Sequence, residues 1–269
     1  MNTHSSSGAD IGALAAAENP LFELQQVLYS SSNYTRRRLH RTRLRWVTNA
    51  ISAHARALPV SRALEYGPGS GIYLPILARH CLEVTAADIE QAYLSELRHM
   101  AGQLGNLELV ADDIQDSRFK EGSFGLVLCS EVLEHVPDPE RSLGTLWRIL
   151  QPGGIAIVTT PQRFSLMEIS CKVAFLPGVI QLVGRIYREP VLKTGHISLR
   201  SRGAFRKAIA RSGFEIVEHD TFGLYLPLLA EFGGEAGGRA IETLERLLKN
   251  TPLNHVFWTQ AYVLRKRVS

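Results

Sequence analysis

The stretch that decides the fold is "LEYGPGSGIY", residues 64–73, in which three glycines follow a short apolar strand. Gly67, Gly69 and Gly71 stand at i, i+2 and i+4. Because glycine has no Cβ, the backbone of such a loop can turn sharply and come close to a ligand. A dinucleotide-binding fingerprint would need its third glycine one place later, and the absence of Gly-Lys-Ser/Thr excludes a P-loop. The stretch therefore predicts a strand followed by a ligand-binding loop.

Outward from this loop, the sequence alternates short apolar strands with helical patterns. The predicted strands lie in "RALEYG", "LEVTAAD", "LELVADD", "FGLVLCS", "GIAIVTT", "FEIVEHD" and "VFWTQAYVLRKR". Helical patterns such as "SLGTLWRIL" stand between them, and Gln-Pro-Gly-Gly ends this one. Strands that alternate with helices predict an α/β fold built on a doubly wound, mostly parallel sheet.

Composition and pattern divide the chain into three segments, the last of which carries an insertion. Residues 1–18 are rich in Ser, Gly and Ala without periodicity, which predicts disorder. Residues 19–58 have a helical pattern and predict an N-terminal helical cap. Residues 59–269 carry the strand–helix alternation and form the main domain, in which residues 164–195 predict a helical lid inserted after strand five. A Pro-Gly pair and charged residues interrupt the apolar run of this lid, so it does not predict a transmembrane helix.

Charge and cysteine content limit the choice of partners and compartment. The net charge of +4 over 269 residues is too weak to argue for a nucleic-acid partner. The excess is concentrated in residues 36–45, which predict a solvated helix face; the alternative is that one or two of these arginines pair with a cofactor carboxylate or an anionic substrate. Cys81, Cys129 and Cys171 are few, odd in number and far apart. They predict a reducing, cytoplasmic compartment, and no basic residue precedes the N-terminal apolar run as a signal peptide requires.

Acidic residues stand where the predicted strands end. Glu65 lies two residues before the first loop glycine. Asp88 ends the second strand, where a carboxylate can accept hydrogen bonds from both hydroxyls of a ribose. Asp112 and Asp113 follow the third strand, where a carboxylate can accept from the amino group of adenine, with Ile114 against the ring. The loop and these carboxylates predict a site for an adenosine-containing cofactor.

In this order the motifs resemble the class I S-adenosylmethionine-dependent methyltransferases, and among them the small-molecule branch that includes the ubiquinone-biosynthesis O-methyltransferases. The resemblance is carried by "EYGPGSG", "TAADI", "ADDIQD", "GSFGLVLCSEVLEHVPDPERSL" and "ILQPGGIAIVTTP". It covers roughly residues 60–220. It implies a Rossmann-like fold of seven strands with the last strand antiparallel, methyltransferase activity, and S-adenosyl-L-methionine as the cofactor.

The resemblance also implies which residues bind the cofactor. The glycine loop and Glu65 would hold its methionine part, and Asp88 would hold the ribose. Asp113 would read the adenine in preference to Asp112, and Ser130, just after strand four, would lie near the methyl-donor end. The full implied set is Glu65, Gly67, Gly69, Gly71, Asp88, Ile89, Asp113, Ile114 and Ser130.

"CSEVLEHVPDP", residues 129–139, leaves strand four and brings Glu131, Glu134 and His135 close together in sequence. Three interpretations stay open. His135 could be the general base for a hydroxyl acceptor, with Glu131 near the methyl donor. The three side chains could instead bind a divalent cation with His196 as a fourth ligand, or they could only fix the loop through hydrogen bonds to the backbone. We predict His135 and Glu131 as the catalytic residues and leave the metal ligands undefined.

Apolar side chains in the lid and in residues 223–234 predict a small hydrophobic or amphiphilic acceptor, quinone-like, aromatic or fatty-acyl, methylated at oxygen. The alternative is that they only pack a small helical subdomain. The amphipathic lid also suggests peripheral contact with a membrane surface. Two rival functions are an RNA 2′-O-methyltransferase and a cofactor-binding protein without turnover. The first is disfavoured, because no RNA-binding motif is present and a nucleic-acid partner is not expected. The sequence does not define the oligomeric state.

Overall fold

The computed structural model describes residues 28–57, 61–174 and 196–268. The predicted disordered N-terminus, residues 1–18, and most of the predicted lid, residues 164–195, lie outside the described residues. What the structure does describe is one central sheet with helices on both faces.

The sheet has seven strands, as the sequence predicts. They are β1 (Arg62–Tyr66), β2 (Glu83–Asp88), β3 (Leu107–Ala111), β4 (Phe124–Ser130), β5 (Leu150–Pro161), β6 (Phe214–Phe222) and β7 (Thr259–Lys266). Their order is β3-β2-β1-β4-β5-β7-β6. The first five strands pair in parallel, and β7 is antiparallel to both of its neighbours. This confirms the predicted doubly wound fold, and its order reverses between β1 and β4, where such folds bind ligands.

Nine α-helices and one 3₁₀ helix surround the sheet in the described part of the chain. They are α1 (Tyr34–Ala57), α2 (Leu74–His80), α3 (Gln91–Glu96), α4 (Arg98–Leu104), α5 (Pro139–Ile149), α6 (Leu166–Ala174), α7 (Arg202–Arg211), α8 (Pro227–Phe232), α9 (Gly234–Leu248) and the 3₁₀ helix Pro252–Val256. The start of α5 is capped by Asp138, whose Oδ1 accepts from the backbone N–H of Glu140 and Arg141 at 3.0 and 3.1 Å. Within the described residues, no helix combines the length and the apolar character that crossing a bilayer requires.

Two apolar clusters cover the two faces of the sheet. In β4, Val127 and Cys129 belong to the cluster that includes residues of α5 and α7. Leu126 and Leu128 belong to the cluster that includes residues of α1 and α2. Side chains alternate between faces along a strand, so a continuous apolar strand such as β4 is buried on both sides.

Helix α1 packs directly on the sheet and shares its core. Val47 and Ile51, both fully buried, belong to the same cluster as residues of β1, β4 and β5. Nearer its start, Leu39 joins a third cluster with Ile241 of α9. Helix α1, which makes up most of the described part of the predicted N-terminal cap, thus bridges two clusters, and the domain boundary at residue 59 stays a prediction.

Residues 223–234 pack largely within the protein. Leu224 and Tyr225 are buried in the third cluster, whereas Leu228 and Phe232 of α8 are exposed. The first half of this segment therefore belongs to a helical subdomain formed by α1, α8 and α9. Its role as an acceptor wall stays a prediction.

Candidate active site

The glycine loop follows β1 and adopts a backbone that glycine takes far more readily than other residues. Gly67, Gly69 and Gly71 have φ angles of 64°, 54° and 76°, a region that is strained for residues with a side chain. A Cβ added to Gly67 would lie 2.5 Å from Cγ2 of Val132. The loop after β1 therefore lies against the loop after β4, which carries the predicted catalytic residues.

Glu65 is a buried carboxylate beside this loop. The residue is 2% exposed, and its Oε2 has no hydrogen-bond partner among the described residues. Burial raises the pKa of Glu65 well above its ordinary value of 4.5. A buried polar atom without a partner is costly, so this atom fits a ligand that brings its own cationic or donor group. The amino group of the methionine part of S-adenosylmethionine would be such a donor.

Asp88 and Asp113 lie at the carboxyl ends of the adjacent strands β2 and β3. Oδ1 of Asp88 accepts from the backbone N–H of Glu90 at 2.9 Å, and Oδ1 of Asp113 accepts from that of Gln115 at 2.8 Å. Burial raises the pKa of Asp88 above its ordinary value. Next to it, Ile89 is 66% exposed, which is unusual for an isoleucine beside a strand end. Each carboxylate is therefore oriented by its own turn at the edge where ligands bind.

Asp112 and Ile114 turn into the protein instead. Asp112 is buried and accepts from the hydroxyl of Tyr66 at 2.7 Å and from the backbone N–H of Arg118 at 2.9 Å. Ile114 is buried in the same core cluster as Tyr66. Asp112 is thus part of the scaffold, in agreement with the preference for Asp113, and the contact of Ile114 with an adenine ring stays a prediction.

Glu131, the first residue after β4, is held by three interactions. Its φ of 57° is the only positive φ of a non-glycine residue among the described residues. Its Oε2 lies 2.7 Å from Nη1 of Arg43 on α1, and its Oε1 accepts from Oγ1 of Thr159 at 2.9 Å. Its backbone N–H donates to the carbonyl of Thr159 at 2.9 Å. Strained backbone persists only where the surroundings enforce it, and such positions cluster at functional sites.

Ser130 extends this network toward the glycine loop. Its Oγ lies 2.9 Å from Oγ1 of Thr159. Because the single hydroxyl hydrogen of Thr159 is donated to Glu131, Ser130 must be the donor to Thr159. A chain of hydrogen bonds therefore runs from Ser130 through Thr159 to Glu131, and the ion pair with Arg43 ends it.

Glu134, His135 and His196 converge next to this network. Each offers one potential ligand atom, and these atoms all lie within 4.8 Å of one another. Glu134 is 1% exposed, accepts from Oγ1 of Thr160 at 3.0 Å, and has no hydrogen-bond partner for Oε1 among the described residues. Burial, and then the charge of Glu131, raise the pKa of Glu134 well above its ordinary value. The side chain of His135 is 47% exposed, so an acceptor can reach it.

His196 is oriented by a carboxylate that the sequence analysis did not single out. Its Nδ1 lies 3.2 Å from Oε1 of Glu168, a buried residue of α6 that also accepts from Nε1 of Trp258 at 3.3 Å. The backbone N–H of Ile197 donates to the carbonyl of Glu134 at 2.9 Å, which docks this segment on the loop after β4. A histidine that donates Nδ1–H to a carboxylate presents Nε2 as its basic, ligating nitrogen. The sequence offers one signal for Glu168, because a single glutamate stands within the apolar run of α6.

The loop after β4 is not helical, and Glu131 faces Arg43 while Glu134 faces Thr160. One expectation needs correction. The Arg-rich segment is not simply a solvated face. Three of its members form ion pairs with glutamates, namely Arg36 with Glu231 at 3.0 Å, Arg38 with Glu245 at 2.5 Å, and Arg43 with Glu131 at 2.7 Å. Such pairs join residues far apart in sequence, so composition alone cannot predict them.

Known proteins show the same architecture. A family model described as "Methyltransferase domain" matches residues 34–219. The chain is 33% identical over 131 residues to a ubiquinone biosynthesis O-methyltransferase of Erwinia tasmaniensis, a match that covers 48% of this chain and 52% of that protein. The chain thus spans about half the length of the curated relatives it matches.

Solved structures of other proteins have a similar fold. The [4+2]-cyclase SpnF is 17% identical with a TM-score of 0.56, over 83% of this chain and 80% of that chain. An S-adenosylmethionine-dependent methyltransferase from Mesorhizobium loti is 19% identical with a TM-score of 0.54, over 81% and 96%. At these identities the likeness concerns the fold alone.

The sheet order and the glycine loop after β1 define an α/β protein with a doubly wound sheet. The family match covers well over half of the chain, and the chain therefore belongs to the class I S-adenosylmethionine-dependent methyltransferases. This confirms the predicted family and its cofactor, S-adenosyl-L-methionine. The individual cofactor contacts stay predictions, which the orphaned Oε2 of Glu65 and the close-packed glycine loop support.

Proposed function

We propose that this chain transfers the methyl group of S-adenosyl-L-methionine to a hydroxyl oxygen of a small hydrophobic or amphiphilic acceptor, such as a quinone-like, aromatic or fatty-acyl compound. The observation that carries the proposal is the convergence of Glu134, His135 and His196 beside the carboxyl ends of β4 and β5. A hydroxyl must lose its proton when it is methylated, and imidazole suits that task near neutral pH. The curated relatives, named as O-methyltransferases, support transfer to oxygen.

The residues of this site divide the work between orientation and proton transfer. Bound S-adenosyl-L-methionine supplies a methyl group that its sulfonium has already activated for in-line displacement. Holding the two partners in line can contribute on the order of 7–11 kcal/mol. We assign the hydroxyl proton to the imidazole of His135, which takes it while the oxygen–methyl bond forms and the sulfur–methyl bond breaks. Glu131, engaged by Arg43 and Thr159, keeps the loop after β4 in place beside the methyl-donor end.

Apolar side chains around α6 support a hydrophobic acceptor. Phe164, Ile169 and Val173 are exposed large apolar side chains at the described edge of the predicted lid. Solvent-facing apolar groups of this kind mark ligand or interaction surfaces when they cluster. The proposed membrane contact through the lid depends mainly on residues 175–195, which lie outside the described residues.

A divalent cation held by Glu134, His135 and His196 is a second candidate for this site. The three potential ligand atoms lie within 4.8 Å of one another, and Glu168 orients His196. Oε1 of Glu134 lies 4.0 Å from Nε2 of His135 and has no hydrogen-bond partner among the described residues. A carboxylate behind a ligating histidine is the common second layer of metal sites. Two imidazoles and one carboxylate suit Mn²⁺ or Zn²⁺ better than Mg²⁺. A cation would lower the pKa of the acceptor hydroxyl and so perform the task assigned to His135.

The test of the proposed function is a kinetic comparison of His135→Ala with the unchanged chain. Transfer of a labelled methyl group to an alkyl-substituted catechol is measured beside the affinity for S-adenosylhomocysteine. We expect kcat to fall about 10²–10⁴-fold, the usual contribution of a positioned base, with unchanged cofactor affinity. His99→Ala, an exposed histidine of α4, is the matched control. If His135→Ala keeps full kcat, His135 is not the general base. If the chain methylates RNA but not the catechol, the acceptor is a nucleic acid and not a small hydrophobic molecule.

Treatment with a chelator distinguishes a site in which His135 is the base from a site that requires a divalent cation. If a cation is required, treatment with EDTA abolishes turnover, and added Mn²⁺ or Zn²⁺ restores it in the unchanged chain but not in His196→Ala. An unchanged rate after EDTA treatment leaves His135 as the base and rejects the cation.

A further inference from the structure

A second cleft lies between α1 and α9, away from the methyl-transfer site. Its volume is about 560 Å³, which falls within the range of small-molecule sites. Arg37, Arg41 and Arg45 line it from α1 at intervals of four residues, so they form a row along one side of the helix. At about 100° per residue, Arg43, which reaches Glu131 in the candidate active site, projects from roughly the opposite side of α1.

The lining of this cleft carries an excess of positive charge. Six basic side chains face three acidic ones. Lys249 pairs with Asp220 at 2.8 Å, and Arg38 pairs with Glu245 at 2.5 Å. None of the other four arginines of the lining forms an ion pair with a carboxylate in the part of the chain that the structure describes. The cleft therefore carries a net positive charge on two walls, with Arg246 on α9 opposite the row on α1. Arg37 and Arg41 also donate to the backbone carbonyls of Ser31 and Tyr29, and Arg246 donates to Oγ1 of Thr243, so each uses part of its guanidinium group within the protein.

Guanidinium groups on two walls of a concave site match an anion with several oxygens. Each guanidinium can donate two parallel hydrogen bonds to a phosphate, a geometry that lysine cannot provide. Aromatic side chains also line the cleft: Tyr34, and Trp46, whose ring centroid lies 6.4 Å from that of Phe222. They offer an apolar contact to whatever organic group the phosphate carries.

We propose that this cleft binds the phosphate or diphosphate group of a small organic ligand, at a site separate from the methyl-transfer centre. Its limited volume, between two packed helices, favours a compact ligand over the backbone of an extended nucleic acid. The site does not rest on the proposed function, because none of its residues belongs to the cofactor loop or to the group around His135 and His196.

Calorimetric titration of the full chain with inorganic pyrophosphate tests this site. Arg41→Gln/Arg45→Gln removes two charges from one wall, and Arg239→Gln/Arg267→Gln removes two charges from exposed positions outside the cleft. We expect the first variant to weaken pyrophosphate binding about tenfold or more, since charge-assisted hydrogen bonds are lost, and the second to leave it unchanged. Both variants should bind S-adenosylhomocysteine as the unchanged chain does.

Two further arms identify the source of the anion. Vesicles containing phosphatidylglycerol and a single-stranded RNA oligonucleotide are titrated against the same three proteins. Binding to vesicles or RNA without binding to pyrophosphate would overturn the small-ligand site, as would equal losses in the two double variants. If the variant on α1 fails to fold, Arg246→Gln on the opposite wall provides the same comparison, and undiminished pyrophosphate binding in that variant would also overturn the proposal.

Discussion

Two buried glutamates give the candidate site its chemical character at the scale of single residues. Glu65 and Glu134 are both almost fully buried, and each has one oxygen without a hydrogen-bond partner in the described part of the chain. Leaving such an atom unpaired costs about 1–3 kcal/mol. A ligand is one way to complete groups of this kind, and we propose that Glu65 beside β1 and Glu134 after β4 mark the two ends of the reaction site.

At the same scale, Glu168 should act through His196. We expect Glu168→Gln to lower kcat about 10–100-fold, which is typical when the carboxylate behind a functional histidine is lost. The affinity for S-adenosylhomocysteine should not change, because Glu168 contacts His196 and none of the residues predicted to bind the cofactor. Glu235→Gln, which removes an exposed partner of Arg239, is the control. Equal kcat values for the two variants would show that Glu168 only stabilises α6.

Gly67 offers a test of the loop backbone. Its φ of 64° and a predicted separation of 2.5 Å between an added Cβ and Cγ2 of Val132 leave no room for a side chain. We expect Gly67→Ala to lower the free energy of unfolding by about 1–3 kcal/mol and to weaken cofactor binding. Gly102→Ala in α4, where an added Cβ meets nothing within 4 Å, should instead stabilise the protein by about 0.5–1 kcal/mol. Urea denaturation of both variants checks the sign of each effect.

At the scale of elements, α1 connects the loop after β4 to the core. Val47 and Ile51 are buried against the sheet, and Arg43, one turn before Val47 on the same side of the helix, forms an ion pair with Glu131. A separate cap could detach without unfolding the sheet, whereas a helix that shares the core cannot. The position of Glu131 thus depends on the packing of α1.

Ile51→Ala measures this dependence. The side chain is fully buried, so we expect a loss of about 2–5 kcal/mol in the free energy of unfolding, within one cooperative transition. Leu247→Ala, on an exposed side of α9, should cost less than about 0.5 kcal/mol. Two separate transitions in Ile51→Ala would instead identify α1 as an independent cap.

The elements differ in how well the sequence predicts them, for physical reasons. All seven strands were predicted because buried strands read as short apolar runs between turn residues. Helix α9 was not predicted, because Gly234, Gly237 and Gly238 lower its helical propensity. The structure explains why one of these positions is a glycine, because a Cβ on Gly238 would overlap the ring of Tyr34 on α1.

The candidate site, like the helices, can be predicted from the sequence only in part. Glycines and carboxylates at strand ends are set by local chain geometry, so their placement could be predicted from the sequence. The pairing of Arg43 with Glu131 and of Glu168 with His196 joins distant segments through tertiary packing, and no local pattern encodes it.

At the scale of the whole molecule, burial of Glu65 links stability to pH. Its pKa is raised in the folded protein, so its protonated form contributes stability that is present below about pH 4.5 and is lost as the pH rises through the raised value. Without cofactor, Glu65→Gln should therefore gain stability relative to the unchanged chain as the pH rises from 4.5 to 8, by about 1–3 kcal/mol. Thermal unfolding at several pH values, with and without S-adenosylhomocysteine, tests this.

Because all other groups titrate in both proteins, the difference between them isolates Glu65. Added S-adenosylhomocysteine should reverse the order and stabilise the unchanged chain more than the variant. A difference that does not vary with pH would contradict the unpaired state of Glu65.

The position of β7 has a consequence for how the protein is made. This strand follows all the others in sequence, yet it lies inside the sheet between β5 and β6. On the ribosome, β6 emerges first and has no partner until Thr259–Lys266 has left the exit tunnel. Until then β5 is an open edge of the nascent sheet, the kind of edge that recruits chaperones or other chains. Translation therefore makes β7 the last strand available, and the sheet can close only after β7 has emerged.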